Sequence, residues 1–257
     1  MEVFLNPSAC IALLILTFLE IVLGIDNIIF ISIATGKLPE EKRKKATQIG
    51  LFLAMFLRIA LLMGISLLIA MKEAWFTIDL SWFSAQITGQ SLILLFGGLF
   101  LLYKSTTEIR EKIEEKGVEE KELGKSAAKR FSRVLLQIML IDLVFSFDSI
   151  LTAVGMTNGL PGAIYIMVTA VVISVFIMMQ FAVPVGIFVN KHPTIQILGL
   201  TFLILIGFML VTEAAHLSNA SFFGNHVDVV PKGYLYFAIS FSLLVEVLNM
   251  KMSKNKK

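Results

Sequence analysis

Seven long apolar stretches dominate this 257-residue chain and restrict what it can fold into. They run over residues 9–35, 46–70, 84–103, 134–157, 162–189, 194–213 and 234–250. Most reach the ~20 residues that a helix needs to cross a bilayer, and the shorter seventh spans only if it stands nearly upright. Charged residues make up 16% of the chain, against about 25% in soluble domains. The pattern excludes a soluble globule and predicts an all-α polytopic membrane protein with seven transmembrane helices.

Two features exclude other interpretations of the first stretch and of the single cysteine. No Lys or Arg precedes Lys37, and Glu20 and Asp26 interrupt the apolar run, so we expect a membrane helix rather than a cleavable signal peptide. Cys10 has no second cysteine to pair with, which excludes an internal disulfide and a thiolate metal cluster.

The basic residues lie almost entirely in alternate connections between the apolar stretches. With seven helices, 19 of the 22 Lys and Arg residues fall on one side, in the connections near residues 37–45, 104–133 and 191 and in the tail from 251. The opposite side holds Lys72 and Lys232, and Arg58 lies inside the second stretch. Positive residues favour the cytoplasmic side. We therefore predict an external N-terminus and a cytoplasmic C-terminus, in the plasma or inner membrane of a bacterium.

The connection over residues 104–133 is rich in charges of both signs. Seven glutamates stand against nine basic residues, and Gly117 is expected to divide it into two short helices. Such runs are usually solvated. We interpret 104–133 as a cytoplasmic linker between two halves of the chain.

The first and fourth stretches carry the same pattern of acidic residues. An offset of 122 residues maps Glu20 onto Asp142 and Asp26 onto Asp148, and it also maps Thr35, Leu38 and Pro39 onto Thr157, Leu160 and Pro161. It further maps Arg58 onto Gln180 and Gly64 onto Gly186. The third and sixth stretches resemble each other at another offset, GGLFLLYK against LIGFMLVTE. The chain thus divides into a three-helix repeat at 1–103, the linker 104–133, a second repeat at 134–216, and a loop, seventh helix and basic tail at 217–257.

Because three helices is an odd number, the second repeat enters the membrane from the opposite side. Inverted repeats are typical of secondary transporters, whose sites lie at the midplane where the repeats meet. An acidic residue at the centre of a membrane helix costs about 2.5–3.5 kcal/mol, so matched acids indicate a function. Six acids and Arg58 inside the stretches leave five formal negative charges. Protonation or a bound cation must neutralise part of that excess.

These residues form a candidate metal site of oxygen ligands, composed of Glu20, Asp26, Asn27, Asp142, Asp148 and Ser149. Hard oxygen ligands favour Mn²⁺, Mg²⁺ or Ca²⁺ over Cu²⁺ or Zn²⁺, and the three histidines lie elsewhere. Six residues correspond to 600° of helix, so Glu20 and Asp26 point 120° apart on a straight helix. We therefore expect the first and fourth helices to be interrupted near Gly24 and Ser146. The alternative is that one acid of each pair binds the ion while the other handles protons or pairs with Arg58.

Three further charged residues form an auxiliary set for proton movement or ion entry. Arg58 is expected to be a counter-ion to one of the acids. Glu213 and Glu246 lie near the ends of the sixth and seventh stretches, where they serve either as entry or exit groups or as interfacial residues that reach water.

The stretches FLEIVLGIDNIIFISI, LIDLVFSFDSILTAVGMT, GGLFLLYKSTTEI and VPKGYLYFAISFSLLVEVLN resemble the TerC family of integral membrane proteins over nearly the whole chain. The resemblance implies manganese export, a link to tellurium resistance in some members, and manganese supply to secreted proteins. It carries the family's acidic residues onto Glu20, Asp26, Asp142 and Asp148, with Asn27 beside them. The CBS modules of longer relatives are not expected here, which removes one route of nucleotide sensing.

Three functions compete. The first is a Mn²⁺ exporter coupled to protons, or a transporter of another hard cation such as Ca²⁺. The second is an intramembrane aspartyl protease using Asp26 and Asp148, which the LGID sequence disfavours because such enzymes use Gly-x-Gly-Asp. The third, a retinal protein, is excluded because residues 234–250 contain no lysine. We therefore expect no enzymatic activity, no catalytic residue and no prosthetic group. The expected partners are lipid, the metal ion and either a second copy of the chain or the secretion machinery, with no nucleic acid.

Overall fold

The computed structural model describes residues 6–114 and 127–254, and at residues 26, 66, 67, 127, 128, 253 and 254 it describes the backbone alone. Helix accounts for 81% of the structure, which confirms the predicted class. The helices are α1 Pro7–Gly36, α2 Glu40–Met63, α3 Ile65–Ala70, α4 Gly89–Ile113, α5 Ala127–Thr157, α6 Ala163–Lys191, α7 Pro193–Leu217 and α8 Lys232–Lys254. The strands are β1 Ala74–Leu80, β2 Phe83–Thr88, β3 Ser221–Phe222 and β4 Asn225–His226.

Seven helices of the described ranges are long and apolar enough to cross a membrane, as predicted from the seven apolar stretches. They are all the helices above except α3. Local chemistry explains several of their ends. The side chain of Asn6 accepts a hydrogen bond from the amide of Ser8 at 3.0 Å and caps α1, while α2 is followed by Gly64.

Helices α1 and α5 are continuous, so the interruption expected near Gly24 and Ser146 is wrong. The expectation assumed that Glu20 and Asp26 had to face one site, and likewise Asp142 and Asp148. In the structure, the first acid of each pair is satisfied by an arginine from another helix. An unbroken helix keeps its own backbone hydrogen bonds, so unwinding would have a cost without a compensating contact.

The expected third helix begins later than the apolar stretch suggested. Residues 83–88 form β2, and α4 starts at Gly89. The run AWFTIDLSWFSAQIT over residues 74–88 is rich in aromatic and β-branched residues, which favour strands. Thr88 and Ser91 then start α4 by exchanging hydrogen bonds between side chain and amide, at 3.0 and 3.1 Å.

The charged linker is shorter than 104–133 at both ends. Helix α4 continues to Ile113, and α5 already begins at Ala127. Gly117, where we expected a break, lies outside the described residues. The charges from Lys104 to Lys112 therefore belong to the last turns of a membrane helix rather than to a solvated loop.

The first of two compact units contains residues 1–71 and 114–192, and therefore α1, α2, α3, α5 and α6. Within it α1 packs along α6, α2 packs against both α5 and α6, and α1 also touches α5. In the proposed repeats α1 corresponds to α5, and α2 corresponds to α6. The counterpart of the contact between α1 and α6 is then the contact between α5 and α2, and the structure contains both. The repeat boundaries and their inverted relation remain predictions.

The second unit contains residues 72–113 and 193–257, and its main contact is between α4 and α7. Gly98 and Gly207 lie where these helices cross. A Cβ atom on Gly98 would stand 2.7 Å from the carbonyl oxygen of Gly207, and one on Gly207 would stand 2.9 Å from that of Gly98. These glycines occupy corresponding positions in the two similar stretches, and their missing side chains let the backbones touch.

The four strands of the second unit form one antiparallel sheet in the order β1-β2-β3-β4. Strands β1 and β2 lie between α2 and α4 in the chain, whereas β3 and β4 lie between α7 and α8. The pairing of β2 with β3 requires both connections to lie on the same side of the membrane. Seven membrane-crossing helices meet this requirement, because four of them separate the two connections.

Candidate functional site

Arg58 lies at the centre of the candidate site. It comes from α2 and is only 3% exposed, in a helix that is otherwise apolar at this level. Its Nη2 lies 2.6 Å from Oδ1 of Asp142 on α5, and its Nε lies 3.3 Å from both carboxylate oxygens of Asp142. Its Nη1 pairs with Oε2 of Glu20 on α1. One guanidinium thus joins three helices, and it binds one acid from each proposed repeat.

Neutral side chains complete the surroundings of Asp142. Asn27 donates from Nδ2 to Oδ1 of Asp142 at 3.3 Å, and Ser146 donates from its hydroxyl to Oδ2 at 3.0 Å. The planar guanidinium of Arg58 has five donors, so it can bind two carboxylates at once better than a lysine could. Glu20 and Asp142 are each 6% exposed, so this is a buried charged cluster held by hydrogen bonds.

Asn27 also carries an acceptor oxygen that the described residues do not use. Its Oδ1 is buried, and no hydrogen-bond donor reaches it in the described part of the chain. Buried polar atoms almost always have a partner, and an exception indicates a water, an ion or a functional role. Because the neighbouring Nδ2 faces a carboxylate, the amide orientation is consistent with its hydrogen bonds, and the oxygen is available to a cation.

The second acid of each pair lies six residues further along the same helix, about 9 Å by helical rise. Asp148 on α5 is half-buried, and Ser149 is buried with its hydroxyl donating to the carbonyl of Ser146 at 3.3 Å. Asp26 lies within α1, and the structure describes only its backbone. The structure therefore brings Glu20 and Asp142 together around Arg58, with Asn27 bonded to Asp142.

The described side chains contain no group of three or more His, Cys, Asp and Glu residues placed to hold a metal ion. Arg58 lies between Glu20 and Asp142 and pairs with both carboxylates. The six-residue metal site, in which Asp26 was one ligand, stays a prediction. Of the two arrangements left open by the sequence, the contacts match the one in which one acid of each pair binds Arg58.

The site lacks the symmetry of the repeat at one position. Gln180, which corresponds to Arg58 at the offset of 122, is exposed on α6, whereas Arg58 is buried. A single arginine therefore serves both halves. The prediction that Arg58 is a counter-ion holds in the structure, with two acids as its partners instead of one.

A small cavity of about 10 Å³ lies beside Glu20. Apart from Glu20 its lining is apolar, and it comprises Leu16, Leu62, Ile150, Ala153, Met167, Ala170 and Val171. A buried water needs two to four polar partners, which this lining does not provide. On that side the carboxylate of Glu20 therefore faces apolar side chains, and its charged partner is Arg58.

The auxiliary acids Glu213 and Glu246 belong to the second unit. Glu213 is half-buried near the end of α7, one turn before His216, and Glu246 is half-buried on α8. Helix α8 is the least buried of the membrane-crossing helices that the structure describes, with 6% of its apolar window covered. The roles of both acids stay predictions.

Sequence reasoning missed a second buried charged group. Glu108 is 1% exposed on α4, and it pairs with Lys104 at 2.7 Å, next to the buried Ser105. One turn further, Lys112 donates to the side chain of Gln196 on α7. The charge run alone predicts a solvated linker for this segment. The signal was present, because the buried positions 94, 97, 98, 101, 105 and 108 continue the helical periodicity of the apolar stretch.

Comparison with known proteins shows which protein family the chain resembles. The family described as "Integral membrane protein TerC family" matches residues 5–257. A UPF0053 protein of Haemophilus influenzae is 44% identical over 249 residues, which cover 97% of this chain and 96% of that protein. The UPF0053 inner membrane protein YgdQ of Escherichia coli K12 is 46% identical over 249 residues, or 97% of this chain and 95% of YgdQ.

A longer relative also matches. The UPF0053 inner membrane protein YoaE of Escherichia coli K12 is 44% identical over 255 residues, which cover 99% of this chain but only 45% of YoaE. No solved structure matches the chain. The relatives place such proteins in the inner membrane of bacteria, and their names state no substrate.

Proposed function

Because the chain belongs to the TerC family of integral membrane proteins, we propose that it is a carrier that exports a hard divalent cation, Mn²⁺ first, in exchange for protons. The proposal makes the protein a transporter of the bacterial inner membrane rather than an enzyme. It treats the metal ion as a substrate that passes through, and it needs no prosthetic group.

The buried cluster of Glu20, Arg58 and Asp142 is the observation that carries the proposal. Its acids come from the two stretches that repeat along the chain, and each stretch supplies a second acid six residues on. Four carboxylates and one guanidinium leave three formal negative charges inside the membrane. An excess of that size has to be neutralised by protons or by a cation, and exchange between the two is what a proton-coupled metal carrier requires.

The candidate ligands support a hard cation. They are the carboxylates of Asp26 and Asp148, the free amide oxygen of Asn27 and the hydroxyl of Ser149. Oxygen ligands of this kind suit Mn²⁺, Ca²⁺ and Mg²⁺. We propose that Arg58 holds Glu20 and Asp142 in this buried arrangement, and that these acids turn to the ion, or to protons, when the helices move apart.

Export has an energetic requirement. Moving a divalent ion outward against an inside-negative potential costs about 4.6 kcal/mol per 100 mV, at about 2.3 per charge. Inward protons are the simplest source of that free energy. Inverted repeats that rock about a midplane site would expose the acids to each side in turn. The pairing of α1 with α6 and of α2 with α5 supports such a relation between the halves.

The experiment is metal flux into liposomes that contain the purified full chain, with a dye for Mn²⁺ and a second dye for pH. We expect Mn²⁺ flux and counter-movement of protons in the wild type, with Asp26→Asn and Asp148→Asn losing most of both. Asp79→Asn is the matched control, because Asp79 is an exposed acid on strand β1 and not on a membrane-crossing helix. A panel with Ca²⁺, Mg²⁺ and Zn²⁺ identifies the substrate.

Unchanged Mn²⁺ and Ca²⁺ flux in both variants, with normal folding by size-exclusion chromatography, contradicts the proposal. A peptide-cleaving activity lost in Asp26→Asn or Asp148→Asn, with metal flux intact, would establish the aspartyl protease instead.

A further inference from the structure

The small sheet of the second unit has one apolar face. In an antiparallel sheet, directly paired residues share a face and neighbours along a strand alternate. The register pairs Phe76 with Ile87, Ile78 with Ala85, Leu80 with Phe83, and Phe83 with Phe222. The rings of Phe83 and Phe222 lie 4.9 Å apart, as this pairing requires. Apart from Asn225, which pairs with Phe222 on the last strand, the members of this face are apolar.

The opposite face is polar. It carries Thr77 opposite Gln86, and Asp79 opposite Ser84, which is in turn paired with Ser221. The hydroxyls of Ser84 and Ser221 lie 2.8 Å apart, and Gln86 accepts a hydrogen bond from Asn219. The sheet therefore has two chemically distinct sides, like a sheet with one side against an apolar medium and one in water.

The apolar face is only partly covered by the chain itself. Ala85 at its centre is 2% exposed, but Phe76 is 53%, Leu80 50% and Phe222 45% exposed. The two hairpin tips add Trp82 at 50% and Phe223 at 79%. These tips touch, since the amide of Phe223 donates to the carbonyl of Trp82 at 2.9 Å. A contiguous apolar patch of this kind indicates contact with another apolar phase.

The tip residue Phe223 is held in an unfavourable backbone conformation. Its φ is +50°, and the following Gly224 has a φ of +79°. Two-residue hairpin turns of this kind favour Asn-Gly, because asparagine tolerates a positive φ better than phenylalanine. An exposed phenylalanine in this position lowers the stability of the turn and gains nothing in water, which indicates that its ring is used elsewhere.

The position of the sheet in the chain identifies the apolar phase. Strand β2 leads directly from Thr88 into Gly89 of the membrane-crossing α4, and β3 begins four residues after α7 ends. The sheet therefore cannot lie far from the membrane boundary that these helices cross. Its aromatic residues include Trp75 and Trp82, the two tryptophans of the chain, and tryptophan concentrates at that boundary.

We propose that the apolar face of this sheet, together with Trp82 and Phe223, rests in the headgroup–acyl boundary of the bilayer, and that the polar face meets water. The occupant of the patch is lipid. The sheet then fixes how deep the start of α4 and the end of α7 lie in the membrane, because its strands are joined to those two helix ends. This inference depends on the membrane-crossing helices and not on the identity of the transported ion.

The two faces can be compared at adjacent positions. In a Trp75→Phe and Trp82→Phe background, Phe76→Trp puts the chain's single tryptophan on the apolar face, and Thr77→Trp puts it on the polar face. Each full chain is reconstituted at one copy per lipid nanodisc. We expect lipids brominated near the headgroup to quench the first variant severalfold more than the second, and aqueous iodide to show the reverse order.

The wild type provides a measurement that needs no change of the sheet, because its tryptophan fluorescence comes only from Trp75 and Trp82. We expect strong quenching by brominated lipid. Equal iodide quenching of the two single-tryptophan variants, with no effect of brominated lipid, would overturn the proposal and place the patch in water. Resistance of both variants to both quenchers would overturn it too, because the patch would then be covered by protein.

Discussion

At the scale of single residues, Arg58 determines the arrangement of the candidate site. It satisfies Glu20 and Asp142 at once, although the two acids lie on different helices. Breaking a buried ion pair by removing one partner is far more costly than replacing the whole set, because the remaining charge stays buried without compensation. Arg58 should therefore matter for folding as well as for transport.

Arg58→Gln is expected to lower the free energy of unfolding by about 3–5 kcal/mol, since it leaves two buried carboxylates without their cation. The measurement is the thermal unfolding midpoint in detergent. Gln180→Leu, at the corresponding exposed position of α6, is the control and should change little.

Neutralising the whole cluster tests the cause. Glu20→Gln and Asp142→Asn added to Arg58→Met should recover most of the stability that Arg58→Gln loses, because no uncompensated charge remains. An Arg58→Gln variant as stable as the wild type would show that the contacts to Glu20 and Asp142 contribute nothing to the fold.

At the scale of elements, close backbone contact replaces side-chain packing where α4 meets α7. A Cβ on Gly98 would collide with the backbone carbonyl of Gly207, which cannot swing aside as a long side chain can. Gly98→Ala should therefore lower the free energy of unfolding by about 1–3 kcal/mol.

Gly155→Ala is the matched control for that substitution. Nothing lies within 4 Å of its Cβ position, and it lies inside α5. Removing a helical glycine should here raise stability by about 0.5–1 kcal/mol. Equal shifts of the unfolding midpoint in both variants would contradict the proposed close contact.

The hairpin tip gives a second prediction at this scale. Phe223→Asn suits the positive φ of the turn and removes the ring, so the protein should fold normally while its tip leaves the lipid. In nanodiscs we expect the fluorescence of Trp82, measured in a Trp75→Phe background, to become more accessible to iodide. Unchanged accessibility would mean that Phe223 does not hold the tip in the membrane.

At the scale of the whole molecule, the sheet and the charge distribution constrain the topology independently. The pairing of β2 with β3 requires residues 74–88 and 221–226 on one side, and the distribution of Lys and Arg predicts that this side is external. The hairpin turn at Ser81 is exposed, as is Lys45 in the first two turns of α2, at the end of that helix away from the sheet's side of the membrane.

Cysteine labelling in intact cells tests this orientation. In a Cys10→Ser background, Ser81→Cys should react with a membrane-impermeant maleimide from outside, and Lys45→Cys only after the cells are permeabilised. The reverse pattern would invert the predicted topology and, with it, the side from which the metal ion enters.

The number and approximate bounds of the membrane helices, and the paired acids inside α1 and α5, followed from the sequence alone, whereas the buried Glu108 did not. Run length of apolar residues and the cost of a charge in hydrocarbon are properties of a single segment, so a local pattern reveals them. The family could be recognised for the same reason, because each of the two acidic motifs is one continuous segment of the sequence.

Only the tertiary structure decided how those residues are used. That Arg58 neutralises Glu20 and Asp142, that Lys112 of α4 reaches Gln196 of α7, and that β2 pairs with β3 are contacts between distant parts of the chain. Arg58 and Asp142 are 84 residues apart, and Ser84 and Ser221 are 137 apart. Such contacts depend on how whole helices pack, and no periodicity within one helix specifies which residue of another helix will reach it.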